Sequence, residues 1–360
     1  MKAVLLVGGA GTRLRPLTLT TPKPLLPIAG VPFIDRQIEW LAGHGVTEVV
    51  LAVGYRSERF VDHIDARTSG WAHAARPVSV SVVIESEPLG TAGAIRYATR
   101  EAGLDERIIV CNGDVLTTLD LSALVAFHEQ RGAAATIHLT RVVDPSAFGV
   151  VPTAPDGEVE AFVEKPRPGH APTDWINAGT YVLEPAVLAT IPDGENVSIE
   201  RTTFPGLLEQ AGRLYALGTD DYWLDMGTPE KYLQAHADVL GGRLGGPPAP
   251  EARERTPGVW VHEGDDAPVI AASARIDAPT LLGAEVQVGP DVRVARSVVG
   301  RGTVLDGGAV VEDSVLLDGV HLGAGAQVRG SIVGPGATIA PGAVLDGTVV
   351  VAESQIVTPS

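Results

Sequence analysis

The sequence predicts an α/β domain with a mixed, mostly parallel sheet, followed by a left-handed parallel β-helix of hexapeptide repeats. Three observations carry this. Short apolar runs alternate with segments of helical periodicity through residues 1–240, the pattern of strand–helix–strand units. A Gly/Pro-dense stretch at 241–257 then reads as a linker. From 258 to 360, aliphatic residues recur about every six positions, a period that fits neither a helix nor a strand alternation.

Taken in order, Ala3–Val7 is an apolar run and predicts a buried strand. Phe33–Ala42 places Ile34, Ile38 and Leu41 on one helical face. Val46–Val53 is a second strand, and Arg56–Asp65 a helix. Val78–Glu85 alternates as a half-exposed strand does. Ala92–Ala102 is helical, and Arg107–Cys111 is a buried strand running into Asn112-Gly113-Asp114. Leu121–Arg131 is a helix and Ala134–Val142 a strand. In such sheets ligands bind at the carboxyl ends of strands. The Gly8 loop and Asn112-Gly113-Asp114 both follow strands there. In the repeat region the aliphatic series is Ile270, Ile276, Leu282, Val288, Val294, Val299, Leu305, Val311, Leu317, Leu322, Val328, Val333, Ile339 and Leu345. Each is expected to point into a triangular coil, with the small residue that usually follows it permitting the corner.

Bulk properties narrow the class. With 45% hydrophobic and 20% charged residues, the chain is neither disordered nor fibrous. A net charge of −17 argues against a nucleic-acid partner. No apolar run approaches the roughly 20 residues of a membrane helix, and Ala3–Val7 is too short for a signal-peptide core. Cys111 is the only cysteine, so an intrachain disulfide and a cysteine metal site are excluded. A cytoplasmic protein is expected.

Against that acidic background, Met1–Ile34 carries Lys2, Arg13, Arg15 and Lys23 and no acidic residue. An apolar run empties into Gly8-Gly9-Ala10-Gly11-Thr12-Arg13, and Pro22-Lys23-Pro24 follows. The dinucleotide pattern is incomplete and the P-loop pattern is absent. A glycine loop alone is as readily a tight turn. The cations beside it point to phosphate oxygens: Arg13 offers a planar fork and Lys23 a point charge. The chain has 27 basic residues, of which only Lys2, Lys23, Lys165 and Lys231 are lysine. Lys23 and Lys165 both adjoin proline, which fixes the presenting backbone. Asp114 and Asp225 are candidate Mg²⁺ carboxylates, although each could equally serve a turn or a helix cap. Glu164 and Asn177 suit sugar hydroxyls, and Lys165 a sugar phosphate; a strand-end charge pair and an Asn-Gly turn are the plainer alternatives.

These motifs, together with Glu87-Pro88-Leu89-Gly90-Thr91-Ala92-Gly93, Ile176-Asn177-Ala178-Gly179 and Trp223-Leu224-Asp225-Met226-Gly227, resemble the sugar-1-phosphate nucleotidylyltransferase family. The similarity is greatest to its mannose-1-phosphate guanylyltransferase branch, and hexapeptide solenoids also occur in the family. The resemblance implies a Rossmann-like nucleotidyltransferase domain and transfer from an NTP, with GTP favoured, to a sugar 1-phosphate, with mannose 1-phosphate favoured. It implies that Gly8, Gly9, Gly11 and Thr12 wrap the triphosphate while Arg13 and Lys23 stabilise the departing pyrophosphate. Pro88, Gly90, Thr91 and Asn112 would lie on the nucleotide. Gly149, Glu164, Lys165 and Asn177 would hold the sugar phosphate. Asp114 and Asp225 would hold Mg²⁺. The solenoid offers flat faces for a homo-oligomer.

Rival readings remain at this level. A thymidylyl- or uridylyltransferase shares the glycine loop. A non-catalytic regulatory paralogue would bind nucleotide sugars without turnover, against which stands the joint presence of Arg13, Lys23, Asp114, Lys165 and Asp225. An acyltransferase would need His262 or His321 near the coils.

Overall fold

The computed structural model describes residues 1–209, 212–347 and 350–358. It divides into two compact units: Met1–Gly9 with Ile34–Trp223, and Ala10–Phe33 with Leu224–Ser360.

The first unit is built on a nine-stranded sheet. Its elements are β1 (Lys2–Leu6), α1 (Phe33–Gly43), β2 (Glu48–Val53), α2 (Ser57–Ala72), β3 (Ser79–Ile84), α3 (Gly90–Glu101), β4 (Ile108–Asn112), α4 (Leu121–Arg131), β5 (Ala135–Arg141), β6 (Gly149–Val150), β7 (Val163–Glu164), β8 (Trp175–Leu183) and β9 (Leu214–Gly218). The strand order is β7-β6-β8-β4-β1-β2-β3, with β5 branching from β8 and β9 pairing β5. The strands β4, β1, β2 and β3 run parallel. Long β8 runs antiparallel to β4, β5 and β6. Parallel strands covered on both faces read as continuous apolar runs, and β1 and β4 do. The core joins Val4, Val50, Val110, Tyr181 and Phe204.

The expected elements are present, with shifted ends. The helix expected over 56–65 continues to Ala72, because Phe60, Ile64 and Trp71 all bury on it. The helix α4 spans the expected residues: Asp120 accepts from Ala123 N, and Gly132 closes it at φ +57. Among the described residues, no helix is long and apolar enough to cross a membrane.

In the second unit, 3₁₀ turns at Thr12–Leu14, Leu17–Leu19 and Lys23–Leu25 lead into a small hairpin, Pro27–Ile28 with Val31–Pro32. A further helix, α5 (Pro229–Leu240), holds that hairpin. Tyr232 OH donates to Pro27 O, and Ala29 N donates to His236 Nδ1 at 3.2 Å. An antiparallel pair, Ala252–Thr256 with Val259–His262, opens the repeat region, so the Gly/Pro-rich stretch ends in a strand.

The repeats form three parallel sheets stacked as a left-handed β-helix. Leu282 pairs with Val299, and Val299 with Leu316, a step of 17 residues, whereas Ile276 pairs with Val294 and Val333 with Val351, a step of 18. The inward stack contains Leu282, Val288, Val294, Val299, Leu305, Val311, Leu322, Val328, Val333, Ile339 and Leu345, with Ile270 and Ile276 packed against it. One expectation is corrected. Leu316, not Leu317, points into the prism. The corner between Val311 and Leu316 takes five residues, as do the corners from Val294 to Val299 and from Val328 to Val333. Buried Ser297, Ser314 and Ser331 stack at those corners, Ser314 N donating to Ser297 Oγ and Ser331 N to Ser314 Oγ, both at 3.1 Å.

Candidate active site

The first unit holds the strand ends. The chain leaves β1 through exposed Gly8 and Gly9. A Cβ at Gly8 would lie 3.4 Å from Gly54 N and 3.6 Å from Glu85 Oε1. Gly8, Gly54 and Glu85 therefore cluster at the carboxyl ends of three parallel strands. Glu85 accepts from Leu89 N at 3.2 Å. Burial raises the Glu85 carboxyl above its ordinary range, and the Leu89 N–H partly opposes this. Sequence reading took Glu85 only as the end of a strand.

The loop after β4 is pinned from below. Gln37 Nε2 donates to Asn112 O at 2.9 Å and Val115 O at 3.2 Å. Gly113 has no room for a side chain: a Cβ would sit 2.3 Å from Val7 Cγ1 and 2.7 Å from Leu6 O. Asp114 rides in this loop. Gly179, at φ +77, lies against the Asn112 amide, where a Cβ would come within 2.5 Å of Nδ2. Here the pairing of β8 with β5 slips between Asn177 and Tyr181. Asn177 Oδ1 accepts from Gly179 N at 2.9 Å, and Asn177 Nδ2 donates to Tyr181 OH at 2.8 Å. The structure thus brings Asn112, Asn177 and Gly179 together.

Gly149, Glu164 and Lys165 also meet. A Cβ on Gly149 would stand 2.7 Å from Phe162 Cε1 and 3.1 Å from Glu164 Oε2. A side chain at 149 would displace the Phe162 ring and crowd the carboxylate. Lys165 adopts φ +49, a left-handed conformation uncommon outside glycine, and its Nζ lies 3.6 Å from Glu164 Oε1.

The segment with Pro88, Gly90 and Thr91 is clamped by 195–200. Asn196 Nδ2 donates to Pro88 O at 2.7 Å, and Ala92 N to Val197 O at 2.9 Å. Thr91 Oγ1 donates to Glu200 Oε2 at 2.9 Å and accepts from Ile199 N at 2.8 Å. The hydroxyl of Thr91 is therefore engaged by the protein itself.

The second unit holds a cluster of cations of its own. Gly11 has φ +58, and a Cβ there would meet Lys23 Cβ at 3.0 Å and Thr18 Cγ2 at 3.1 Å. Buried Thr18 donates from Oγ1 to Gly11 O at 2.9 Å, fixing the turn that carries Thr12 and Arg13. Lys23 is buried, with Nζ 3.8 Å from Asp225 Oδ1. Arg13 lies over Gly227, where a Cβ would be 2.8 Å from Nη2 and 3.2 Å from Asp225 Oδ1. Arg13, Lys23 and Asp225 thus gather on one side of the glycine turn.

A glycine turn with two cations and a carboxylate suits nucleotidyl transfer, and the comparisons show that class. Residues 2–241 match the Nucleotidyl transferase family and 261–360 the GMPPB C-terminal domain. The chain belongs to the Nucleotidyl transferase family and is a nucleotidyltransferase. It is similar to a mannose-1-phosphate guanylyltransferase of Mycobacterium tuberculosis, 38% identical over 86% of this chain and 82% of that protein. It is likewise similar to a probable mannose-1-phosphate guanylyltransferase 2 of Oryza sativa, 38% identical over 88% of this chain and 86% of that one. Among solved structures it resembles HddC from Yersinia pseudotuberculosis complexed with GMP-PN. That likeness has 32% identity and a TM-score of 0.54, over 65% of this chain and 97% of HddC.

Proposed function

We propose that the chain transfers GMP from GTP to mannose 1-phosphate, releasing GDP-mannose and pyrophosphate. The observation that carries this is the gathering of Arg13, Lys23 and Asp225 on the Gly11 turn. The names of the relatives that share most of its length support guanine and mannose.

The attacking phosphate oxygen is already anionic, so no general base is required. Catalysis is then alignment and charge neutralisation. The backbone of Gly8, Gly9, Gly11 and Thr12 would receive the triphosphate, with Arg13 and Lys23 on the departing pyrophosphate. Pro88, Gly90, Thr91 and Asn112 would frame the nucleoside. Gly149, Glu164 and Asn177 would hold the sugar, and Lys165 its phosphate. Asp114 and Asp225 are hard oxygen donors of the kind Mg²⁺ takes alongside phosphate oxygens and water. Bound there, the ion would add positive charge against the phosphates. Among the described residues there is no group of three or more His, Cys, Asp or Glu able to hold a metal without such help.

Glu85 adds a reason for guanine. A carboxylate can accept two hydrogen bonds side by side, and guanine presents N1–H and N2–H together. Uracil and thymine offer a single N–H on that edge. The functional domains are taken as 1–240 and 258–360 joined by 241–257, in keeping with the family matches. The protein is read as cytoplasmic, with neither nucleic-acid nor membrane partners, and as a homo-oligomer through the β-helix.

Pyrophosphate release, measured with GTP, ATP, UTP and dTTP against mannose 1-phosphate and glucose 1-phosphate, tests this reading. GTP with mannose 1-phosphate is expected to give the highest kcat/KM. A thymidylyl or uridylyl preference would replace the guanylyl reading, and no release with any pair would remove the transfer reading.

A further inference from the structure

We infer that Arg201 is a second cation for the phosphate of the sugar 1-phosphate, a role that rests on the reading above. Glu164 Oε1 is approached by two positive groups: Lys165 Nζ at 3.6 Å and Arg201 Nη2 at 3.9 Å. The two cations arrive from opposite directions in the chain. Lys165 comes from the end of β7, and Arg201 from a π-helical turn, Ile199–Thr203. Single π-turns are rare and concentrate at functional sites.

That turn is held firmly although Arg201 itself is exposed. Ser198 caps it, its Oγ accepting from Arg201 N at 3.2 Å and donating to Glu200 Oε2 at 2.8 Å. Glu200 in turn accepts from Thr91. Exposed ion pairs contribute little to stability, so folding alone gives weak reason to aim a second cation at Glu164. A substrate phosphate gives a better one. An arriving dianion attracts both cations more strongly than a single carboxylate does, and Arg201 can chelate two of its oxygens. Glu164 is then released from the cations to accept from a sugar hydroxyl. Because the same turn clamps the Thr91 loop, Arg201 is also positioned relative to the nucleoside-framing backbone.

The test is steady-state kinetics of pyrophosphate release for wild type, Arg201→Gln and Arg201→Lys, varying each substrate separately. Arg201→Gln is expected to raise KM for mannose 1-phosphate about tenfold or more, while KM for GTP moves by less than about twofold. Arg201→Lys should recover part of the loss, and the KM for sugar phosphate should depend less on salt in Arg201→Gln than in wild type. An unchanged KM for the sugar phosphate in a folded Arg201→Gln enzyme overturns the assignment while leaving the transfer reading intact. So does equal impairment of both KM values. A wild type inert toward every sugar 1-phosphate overturns the transfer reading and this assignment together.

Discussion

Lys23 and Asp225 face each other with Nζ 3.8 Å from Oδ1, both largely withdrawn from solvent. Neither is a neighbour of the other in sequence. The 3₁₀ turn Lys23–Leu25, packed against Gly11, delivers one and the segment ahead of α5 delivers the other. In a chain that uses arginine almost everywhere, a buried ammonium at this point is a specific choice of a compact charge. The pair is close enough for attraction.

Substituting either partner should depress turnover without abolishing the fold. Lys23→Met and Asp225→Asn are each expected to lower kcat/KM at least about tenfold, the scale of one charge-assisted contact. Lys165→Ala should do the same through the sugar phosphate. Circular dichroism separates this from unfolding, and full activity of any variant removes that residue from the machinery.

Base choice should depend on Glu85. Glu85→Gln replaces one acceptor by a donor, so the preference for GTP over other triphosphates should fall by about tenfold to a hundredfold. The same residue gives a pH signature. Its carboxyl is raised by burial, and the ionised form is the one that accepts from guanine. GTP affinity should therefore weaken as pH falls through a pKa above the ordinary carboxylate range. Glu85→Gln should flatten that limb, and a retained limb contradicts the role.

The fold should lose stability in acid through His138. The ring is buried, Nε2 lies 2.9 Å from Thr219 Oγ1, and burial lowers its pKa from 6.5 to about 4. Unfolding restores the ordinary value, so the unfolded chain binds the proton more readily. The contribution is complete above about pH 6.5 and is lost as pH falls toward 4, amounting to roughly 3 kcal/mol. Urea unfolding at pH 7, 5 and 4 should show this slope for wild type and a shallower one for His138→Gln.

Two glycines and two leucines test the packing. Gly113→Ala drives a methyl against Val7 and the Leu6 backbone and should cost about 2–4 kcal/mol. Leu316→Ala empties the solenoid interior and should cost about 2–5 kcal/mol, whereas Leu317→Ala, outside the inward stack, should cost clearly less. Gly179→Ala should additionally disturb Asn112. Thermal melting ranks them, and equal losses at 316 and 317 would contradict the register.

What was legible in the sequence followed from periodicity. The buried strands β1 and β4 and the capped helix α4 announce themselves because apolar runs and cap residues act locally. The solenoid was readable because each coil repeats the same demand for an inward aliphatic residue. It misled only where two leucines adjoin, at Leu316-Leu317, since a five-residue corner shifts the phase. The antiparallel insertion of β8 between β4 and β5 was not readable, because pairing partners are not encoded by alternation. Glu85 and Arg201 were missed for a related reason. Each gains its meaning from a neighbour brought close by folding, Gly8 for one and Glu164 for the other. The Gly11 turn was visible because glycines and cations share a few consecutive residues, although its closure on Asp225 was not.

The most direct test is calorimetric titration of wild type and Lys23→Met with GTP and with GMP, Mg²⁺ present throughout. If the glycine turn and its cations receive the triphosphate, wild type binds GTP far more tightly than GMP, and the difference shrinks in the variant. Equal affinities for GTP and GMP in wild type would contradict the account.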